Sequence, residues 1–251
     1  MTLQDFFQQH PKGALAFSGG VDSSLLVWAA AEYGADWRAY YVQSAFQSAF
    51  ELEDAKEIAA LCGIPLTVIE ADVLQDPAVA SNPSDRCYHC KRRVFSLIQR
   101  QAAADGRALI ADGTNASDEE GDRPGMRALR ELEVRSPLRE CALTKEDVRR
   151  LSRRAGLPTW DKPAYACLAT RIPAGTALTA EALKTVEAAE DALRALGLRD
   201  FRVRLRNGGA LVQVTAAQTA LARERWPEIR RRLEPLFGQA ELDGTAREPS
   251  K

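Results

Sequence analysis

Short apolar runs alternate with helical stripes through the first part of the chain. Residues 14–17 are small or apolar and predict a buried strand, and Val21, Leu25, Leu26 and Ala29 then mark one face of a helix ending near Gly34. Residues 37–42, aromatic and β-branched, predict a second strand. A helix over 51–62 carries Leu52, Ala55, Ile58, Ala59 and Cys62 on one face and stops at Gly63-Ile64-Pro65. Strands over 66–69 and 108–111 flank a proline-containing loop over 72–85 and a helix over 86–104. The order β-α-β-α-β-α-β, with strands of mostly continuous apolar character, predicts a parallel sheet with helices on both faces. A short amphipathic helix over 3–9 precedes it.

Further on, a helix over 143–156 has a basic face and is capped by Thr144, with Asp147 three residues later in a capping-box arrangement. Residues 157–178 are proline-rich and lack any period, and a long ordered loop of this kind is usually functional. A helix over 179–197 follows, with Leu183, Val186, Ala189, Ala192, Leu193 and Leu196 toward a core. Residues 201–206 alternate as Phe-Arg-Val-Arg-Leu-Arg, a half-buried strand with three arginines on one face. Asn207-Gly208-Gly209 turns it into a hairpin partner over 210–215, and a helix over 217–236 completes an α-β-β-α unit. The division expected is an α/β domain over 1–160, a functional loop over 161–178, a small C-terminal α+β domain over 179–240, and a loose polar tail over 241–251.

Composition narrows the partners. The chain of 251 residues is 45% apolar and 27% charged, ordinary for a soluble globular protein. A formal net charge of −1 gives no electrostatic footprint of nucleic acid. No apolar run approaches a membrane span and no charged-then-apolar leader opens the chain. A cytoplasmic location, with neither nucleic-acid nor membrane partners, is therefore expected. Five cysteines in that compartment point to metal or catalytic use rather than to a disulfide framework.

The candidate chemistry begins at Ser18-Gly19-Gly20-Val21-Asp22-Ser23. Two glycines allow a sharp turn that points successive N–H groups at one place, with a helix N-terminus behind them, which suits phosphate. Ser18 and Ser23 add donors, and Asp22 implies a bridging Mg²⁺. The simpler reading is a glycine-rich strand–helix turn capped by Asp22 and Ser23. Neither a Walker A lysine nor the spacing of a dinucleotide fingerprint is present. Ligands of parallel sheets sit at the carboxyl ends of the strands, the edge that this turn, the helix starting with Cys87 and Cys90, and Asp112-Gly113-Thr114-Asn115 would share. Cys87, Cys90 and Cys167 admit three readings: a redox dithiol of the first two, a structural zinc completed by His89 or another residue, or an iron–sulfur cluster on three thiolates with one open iron. Cys62 reads as packing, and Cys141 as incidental.

Phe-Ser-Gly-Gly-Val-Asp-Ser-Ser resembles the PP-loop of the ATP pyrophosphatases, which adenylate a substrate and release pyrophosphate. The resemblance sharpens over residues 12–215. Cys-Tyr-His-Cys-Lys, Asp-Gly-Thr-Asn, Arg-Pro-Gly, Ser-Pro-Leu, Trp-Asp-Lys-Pro-Ala-Tyr-Ala-Cys-Leu-Ala-Thr-Arg-Ile-Pro-Ala-Gly and Phe-Arg-Val-Arg follow in order, a pattern similar to the LarE family of sulfur transferases of nickel-pincer nucleotide biosynthesis. The resemblance implies an adenine-nucleotide alpha-hydrolase-like fold. It implies adenylation by ATP of a carboxylate of pyridinium-3,5-dicarboxylic acid mononucleotide, displacement of AMP by sulfur, and a homo-oligomer. Some members sacrifice a single cysteine, whereas others hold a [4Fe-4S] cluster on three cysteines. Cys87, Cys90 and Cys167 match the cluster type.

Carried over to this chain, Ser18, Gly19, Gly20, Val21, Asp22, Ser23, Gly113 and Arg123 would bind ATP, with Asp122 beside Arg123. Asp22, Cys167 and Arg171 would be catalytic, and Arg171, Arg202 and Arg204 would bind the substrate's phosphate and carboxylates. A solvated arginine face is the plainer account of Arg202 and Arg204. Members commonly continue with a Tyr-Arg-Gly-containing segment, where this chain ends in its polar tail. The rival readings are a PP-loop tRNA thiolase and a zinc-stabilised nucleotide-binding module without catalysis.

Overall fold

The computed structural model describes residues 1–118 and 124–249, which form two units. The first unit comprises residues 1–73 and 85–162, and the second residues 74–84 and 163–251.

In chain order the first unit holds α1 (Leu3–Gln9), β1 (Lys12–Ala16), α2 (Val21–Glu32), β2 (Asp36–Gln43), α3 (Ala49–Cys62) and β3 (Leu66–Glu70). The chain then gives α4 (Pro77–Ala80) to the second unit before α5 (Arg86–Ala104), β4 (Ile110–Ala111), α6 (Pro124–Glu131), α7 (Pro137–Glu140) and α8 (Lys145–Arg154). The strands pair in parallel in the order β3-β2-β1-β4. Their alternation assigns the two faces. Leu15, Trp37, Ala39 and Tyr41 pack with α1, α2, α3 and α8, whereas Ala14, Tyr40, Val42 and Ile110 pack with α5 and α6. The unit is thus an α/β domain whose parallel sheet is covered on both faces. Because β1 lies between β2 and β4, connections leave it in opposite directions, making a topological switch point at its carboxyl end.

Local sequence accounts for the helix ends. Thr144 caps α8, its Oγ1 accepting from Asp147 N while Asp147 returns a bond to Thr144 N. Gly63 ends α3 in the left-handed region at φ 67°.

The second unit adds α9 (Ala180–Arg194), β5 (Phe201–Arg206), β6 (Gly209–Val214), α10 (Thr219–Glu224), α11 (Trp226–Phe237) and β7 (Ala240–Leu242). Its core joins Ala189 and Leu193 of α9 to Phe201, Val203, Val212 and Val214 of the hairpin and to Ile229 and Leu233 of α11. Three expectations change here. The single helix over 217–236 is broken at Arg225, because Pro227 lacks an N–H and fits the first turn of α11 rather than a helix interior. The tail, expected to be loose, is paired over part of its described length: β7 pairs in parallel with β6, and Arg247 bridges to Thr215 and pairs with Asp200. Strand β5 is buried on both faces over its first half rather than half-buried, and Arg202 is only 5% exposed.

The loop expected over 72–85 also contains a 3-10 turn (Val73–Gln75) and α4, capped by Asp76. Residues 74–84 belong to the second unit because buried Asn82, at φ 55°, donates from Nδ2 to Pro173 O (2.8 Å) and Thr176 O (3.1 Å). Leu178 N donates to Ala80 O at 2.7 Å. No helix of the described residues is long and apolar enough to cross a membrane.

Tyr40 Oη donates to Asp105 Oδ2 at 2.7 Å, and Asp105 also accepts from Arg38. Burial, reinforced by the Asp105 carboxylate, pushes the Tyr40 phenol up to about 12 from 10.0. A raised phenol pKa stabilises the fold below pH 10, and that contribution is lost as pH rises toward about 12. Tyr40→Phe should therefore be less stable than the parent at pH 8, with the gap closing between pH 10 and about 12 when followed by urea unfolding across that range.

Candidate active site

A cavity of about 590 Å³ opens in the first unit at the carboxyl ends of β1, β2 and β4. Its floor is apolar, from Tyr40, Val42, Phe95 and Ile98, and its polar wall holds Ser18, Asp22, Ser23, Gly113 and Asp118. An apolar cleft with a few converging polar groups is the usual form of a small-molecule site.

The turn from β1 into α2 is built from its own side chains. Gly19 sits at φ 69°, a conformation that needs glycine, and a Cβ there would come 3.0 Å from Glu51 O. Ser18 Oγ and Ser23 Oγ lie 3.2 Å apart, Ser23 Oγ donates to Gly20 O at 3.2 Å, and Gly20 N donates weakly to Ser18 Oγ at 3.4 Å. Gly20 is the N-cap of α2 and supplies no side-chain cap, so the first N–H groups of that helix, from Val21 onward, receive none from it. A Cβ on Gly113 would stand 3.0 Å from Ser23 N, so only glycine lets the end of β4 approach this closely.

Asp22 is held from two sides. Asn115 Nδ2 donates to its Oδ1 at 2.9 Å, and Lys145 Nζ to its Oδ2 at 2.5 Å. The Lys145 main-chain N–H donates to Ser117 Oγ at 2.9 Å, tying the start of α8 to the loop after β4. Asp112 is buried and accepts from Thr114 N, Thr114 Oγ1 and Ser136 Oγ, which makes it the brace of that loop. Lys162 Nζ donates to Gly19 O at 3.1 Å and to Asp54 Oδ2 at 2.5 Å. Arg123 and Asp122 lie outside the described residues.

None of the five cysteines is in a disulfide. Cys62 and Cys141 pack against the core of the first unit, and burial raises both thiol pKa values, as expected of packing cysteines. Cys87 and Cys90 stand three residues apart in the first turn of α5. Cys87 is exposed, lines the cavity and accepts from Arg86 Nη2 at 3.7 Å. His89 Nε2 lies 3.3 Å from Asp85 Oδ2. Cys167 belongs to the second unit. Within either unit, among the described residues, no three His, Cys, Asp or Glu side chains stand together as a metal-binding group.

The Cys167 segment of the second unit is held by its main chain. Arg171 Nη1 donates to Ala166 O at 2.7 Å and to Cys167 O at 3.3 Å, Arg202 Nη2 to Ala164 O at 2.6 Å, and Arg204 Nη1 to Thr170 O at 2.7 Å. Behind them lies Glu190, 0% exposed, which takes Arg171 in a two-pronged pair (2.7 and 3.0 Å), Val203 N at 2.9 Å, and the Tyr165 hydroxyl. Burial works against the Arg171 charge, but Glu190 more than offsets it, and the guanidinium pKa ends above its ordinary value. Burial and the neighbouring Arg171 and Arg247 charges instead pull Arg202 down. Arg171 and Arg202 are buried, whereas Arg204 is only partly so, and its Nε donates to Gln213.

Lys145, Lys162 and Glu190 were not among the expected site residues. Glu190 left a trace, since it falls four residues after Val186 and three before Leu193, inside the apolar stripe of α9. Lys145 reads only as part of a basic helix face, and Lys162, although it lies in the Trp-Asp-Lys-Pro stretch of the family pattern, carried no role of its own there.

The first unit is a PP-loop-like α/β domain, with its strand–turn–helix at the switch point. Comparison with known proteins identifies the family. The chain is 37% identical over 218 residues to an uncharacterized protein of Synechocystis sp., spanning 86% of this chain and 81% of that one. It is 35% identical over 219 residues to the pyridinium-3,5-bisthiocarboxylic acid mononucleotide synthase of Lactiplantibacillus plantarum, spanning 86% and 79%. An uncharacterized protein of Methanocaldococcus jannaschii is 28% identical over 206 residues, 80% of this chain and 78% of that one. No protein-family model matches. The chain belongs to the LarE family, that of the pyridinium-3,5-bisthiocarboxylic acid mononucleotide synthase.

Removing one member of a buried ion pair strands the other, at a cost of about 3–5 kcal/mol. Glu190→Ala should therefore lower the stability of the second unit by that order. Limited proteolysis and denaturant unfolding would both register it, with cleavage rising first between residues 163 and 178.

Proposed function

We propose that the chain is an ATP-dependent sulfur transferase that converts a carboxylate of pyridinium-3,5-dicarboxylic acid mononucleotide into a thiocarboxylate for nickel-pincer cofactor synthesis. The observation that carries this reading is the cavity at the switch point, where a glycine turn, Asp22 and Lys145 converge in a chain of the LarE family. The name of the Lactiplantibacillus plantarum relative supplies the substrate class.

A carboxylate is a poor acceptor for sulfur because oxide is a poor leaving group. Attack of the substrate carboxylate on the α-phosphorus of ATP forms the acyl-adenylate and expels pyrophosphate. Sulfur then attacks the acyl carbon, and AMP departs with the former carboxylate oxygen. In this reading the N–H groups of the turn and Ser18 and Ser23 receive the β- and γ-phosphates. Lys145, already 2.5 Å from Asp22, offsets the charge that builds on the departing pyrophosphate. Asp22, oriented by Asn115, is the carboxylate suited to Mg²⁺, which would neutralise the phosphates. The apolar floor of Val42, Phe95 and Ile98 suits the adenine ring. Gly113 keeps the β4 end clear of the turn.

Cys87, Cys90 and Cys167 are the thiols that would hold a [4Fe-4S] cluster, and their all-sulfur donor chemistry fits one. When bound, such a cluster supplies sulfide on an iron that no cysteine occupies. Arg171 and Arg202, buried against main-chain carbonyls, act through the Cys167 segment. Arg204, the least buried of the three, is the arginine suited to contact the substrate phosphate directly.

The test is an anaerobic assay of the purified chain with ATP, Mg²⁺ and the dicarboxylate mononucleotide, following AMP, pyrophosphate and thiocarboxylate by mass spectrometry, with iron and acid-labile sulfide measured on the same sample. Asp22→Ala should abolish AMP formation, and Lys145→Ala should slow it by about a hundredfold, the scale of one lost charge-stabilising group. An unchanged rate in both variants would overturn the site assignment. Cys167→Ala should still form AMP while yielding no thiocarboxylate, and thiocarboxylate from that variant would remove Cys167 from the sulfur path.

A further inference from the structure

Lys162 has no role in the chemistry above, yet its ammonium reaches the centre of the nucleotide turn. It donates to Gly19 O at 3.1 Å and to Asp54 Oδ2 at 2.5 Å, with the Phe50 ring 5.6 Å away. Its side chain is only 19% exposed. Its backbone is fixed as well, the N–H donating to Thr159 O at 3.1 Å and the carbonyl accepting from Arg149 Nη2 at 3.2 Å. Lys162 does not line the cavity, so it reaches the turn from outside.

A planar trans peptide points its carbonyl and the following N–H in opposite directions. Whatever fixes the Gly19 carbonyl therefore aims the Gly20 N–H. Here the carbonyl is drawn outward onto an ammonium, and the Gly20 N–H points to Ser18 Oγ at 3.4 Å, on the cavity side. That bond is long enough to be exchanged readily for a phosphate oxygen. Without the outward tether, Gly19 has the conformational freedom to turn its carbonyl inward, where it would repel an anion. Asp54 keeps the ammonium in place, and the Phe50 ring attracts it from the side.

We infer that Lys162 is a positioning residue of the nucleotide turn, holding it in the anion-accepting conformation without touching the nucleotide. This role rests on the reading of the turn as the site for the phosphates of ATP. It differs from that of Lys145, which meets the departing charge directly.

The experiment measures binding of AMP, of magnesium-loaded AMP-PNP and of pyrophosphate by calorimetry. The proteins are the parent chain, Lys162→Met, Lys162→Arg and Asp54→Asn, each also melted thermally. Lys162→Met should weaken AMP-PNP and pyrophosphate by about tenfold or more, the scale of one charge-assisted hydrogen bond. AMP binding should change little, and Lys162→Arg should restore most of the loss. Asp54→Asn should shift binding in the same direction by a smaller factor, which keeps the role testable should Lys162→Met fold poorly. Unchanged pyrophosphate binding in Lys162→Met, or equal loss for AMP and AMP-PNP without rescue by arginine, would overturn the positioning role while leaving the ATP reading intact. A parent chain that binds neither AMP-PNP nor pyrophosphate would overturn the ATP reading itself, and the role of Lys162 with it.

Discussion

The cavity of the first unit depends on a close approach of backbones. The turn after β1 packs against the start of α3, and the end of β4 lies so near α2 that even a methyl group on Gly113 would crowd Ser23 N. Glycines at 19, 20 and 113 can line this junction, and they bring N–H groups but no charge. Charge must therefore come from elsewhere in the chain. Asp22 supplies the negative group from the first turn of α2, Lys145 the positive one from the start of α8, and Lys162 arrives from just after α8. Segments 123 and 143 residues apart thus meet on the turn after β1, and the sheet topology brings them together at the switch point.

The second unit solves a related problem with the opposite materials. The Cys167 segment has no regular partner strand, so its carbonyls need donors from side chains. Three guanidiniums provide them, and such a concentration of like charge would be costly in a protein interior without a counterion. Glu190 is that counterion for Arg171, and Asp200 serves Arg202 and Arg247. The downward pull on Arg202 comes first from its burial, with the remaining repulsion from Arg171 and Arg247 adding to it. The segment is irregular in outline yet held by arginines at the carbonyls of Ala164, Ala166, Cys167 and Thr170.

What could be read from the sequence was what is local. The strand–turn–helix at 14–26, the capping box at Thr144 and Asp147, and the hairpin at 201–214 each have their causes within a few residues, and each forms as expected. Features fixed by partners far along the chain escaped. β7 has too few residues to announce a strand and exists because β6 offers an edge. Alternation at 201–206 suggested one wet face, but the 163–171 segment covers the arginine side, which burial of Arg202 records. Cys62 packs as expected, because a thiol in an apolar stripe follows helical period, whereas Cys141, which read as incidental, also packs against the core of the first unit. The lysines at 145 and 162 gave no such pattern, since a side chain's partner is invisible when the two are more than a hundred residues apart.

The passage of the chain between its units has a consequence for how such a protein can evolve. Residues 74–84 lie within the sequence span of the first unit yet belong to the second, where Asn82 serves three carbonyls of residues 172–176. No single cut in the gene separates the units. A fragment ending at residue 162 would carry a strip of its neighbour's interior, and a fragment starting at residue 163 would lack the amide that organises its first loop. The two units are therefore inherited as a pair, not as interchangeable modules, and recombination that exchanged either one alone would break the other.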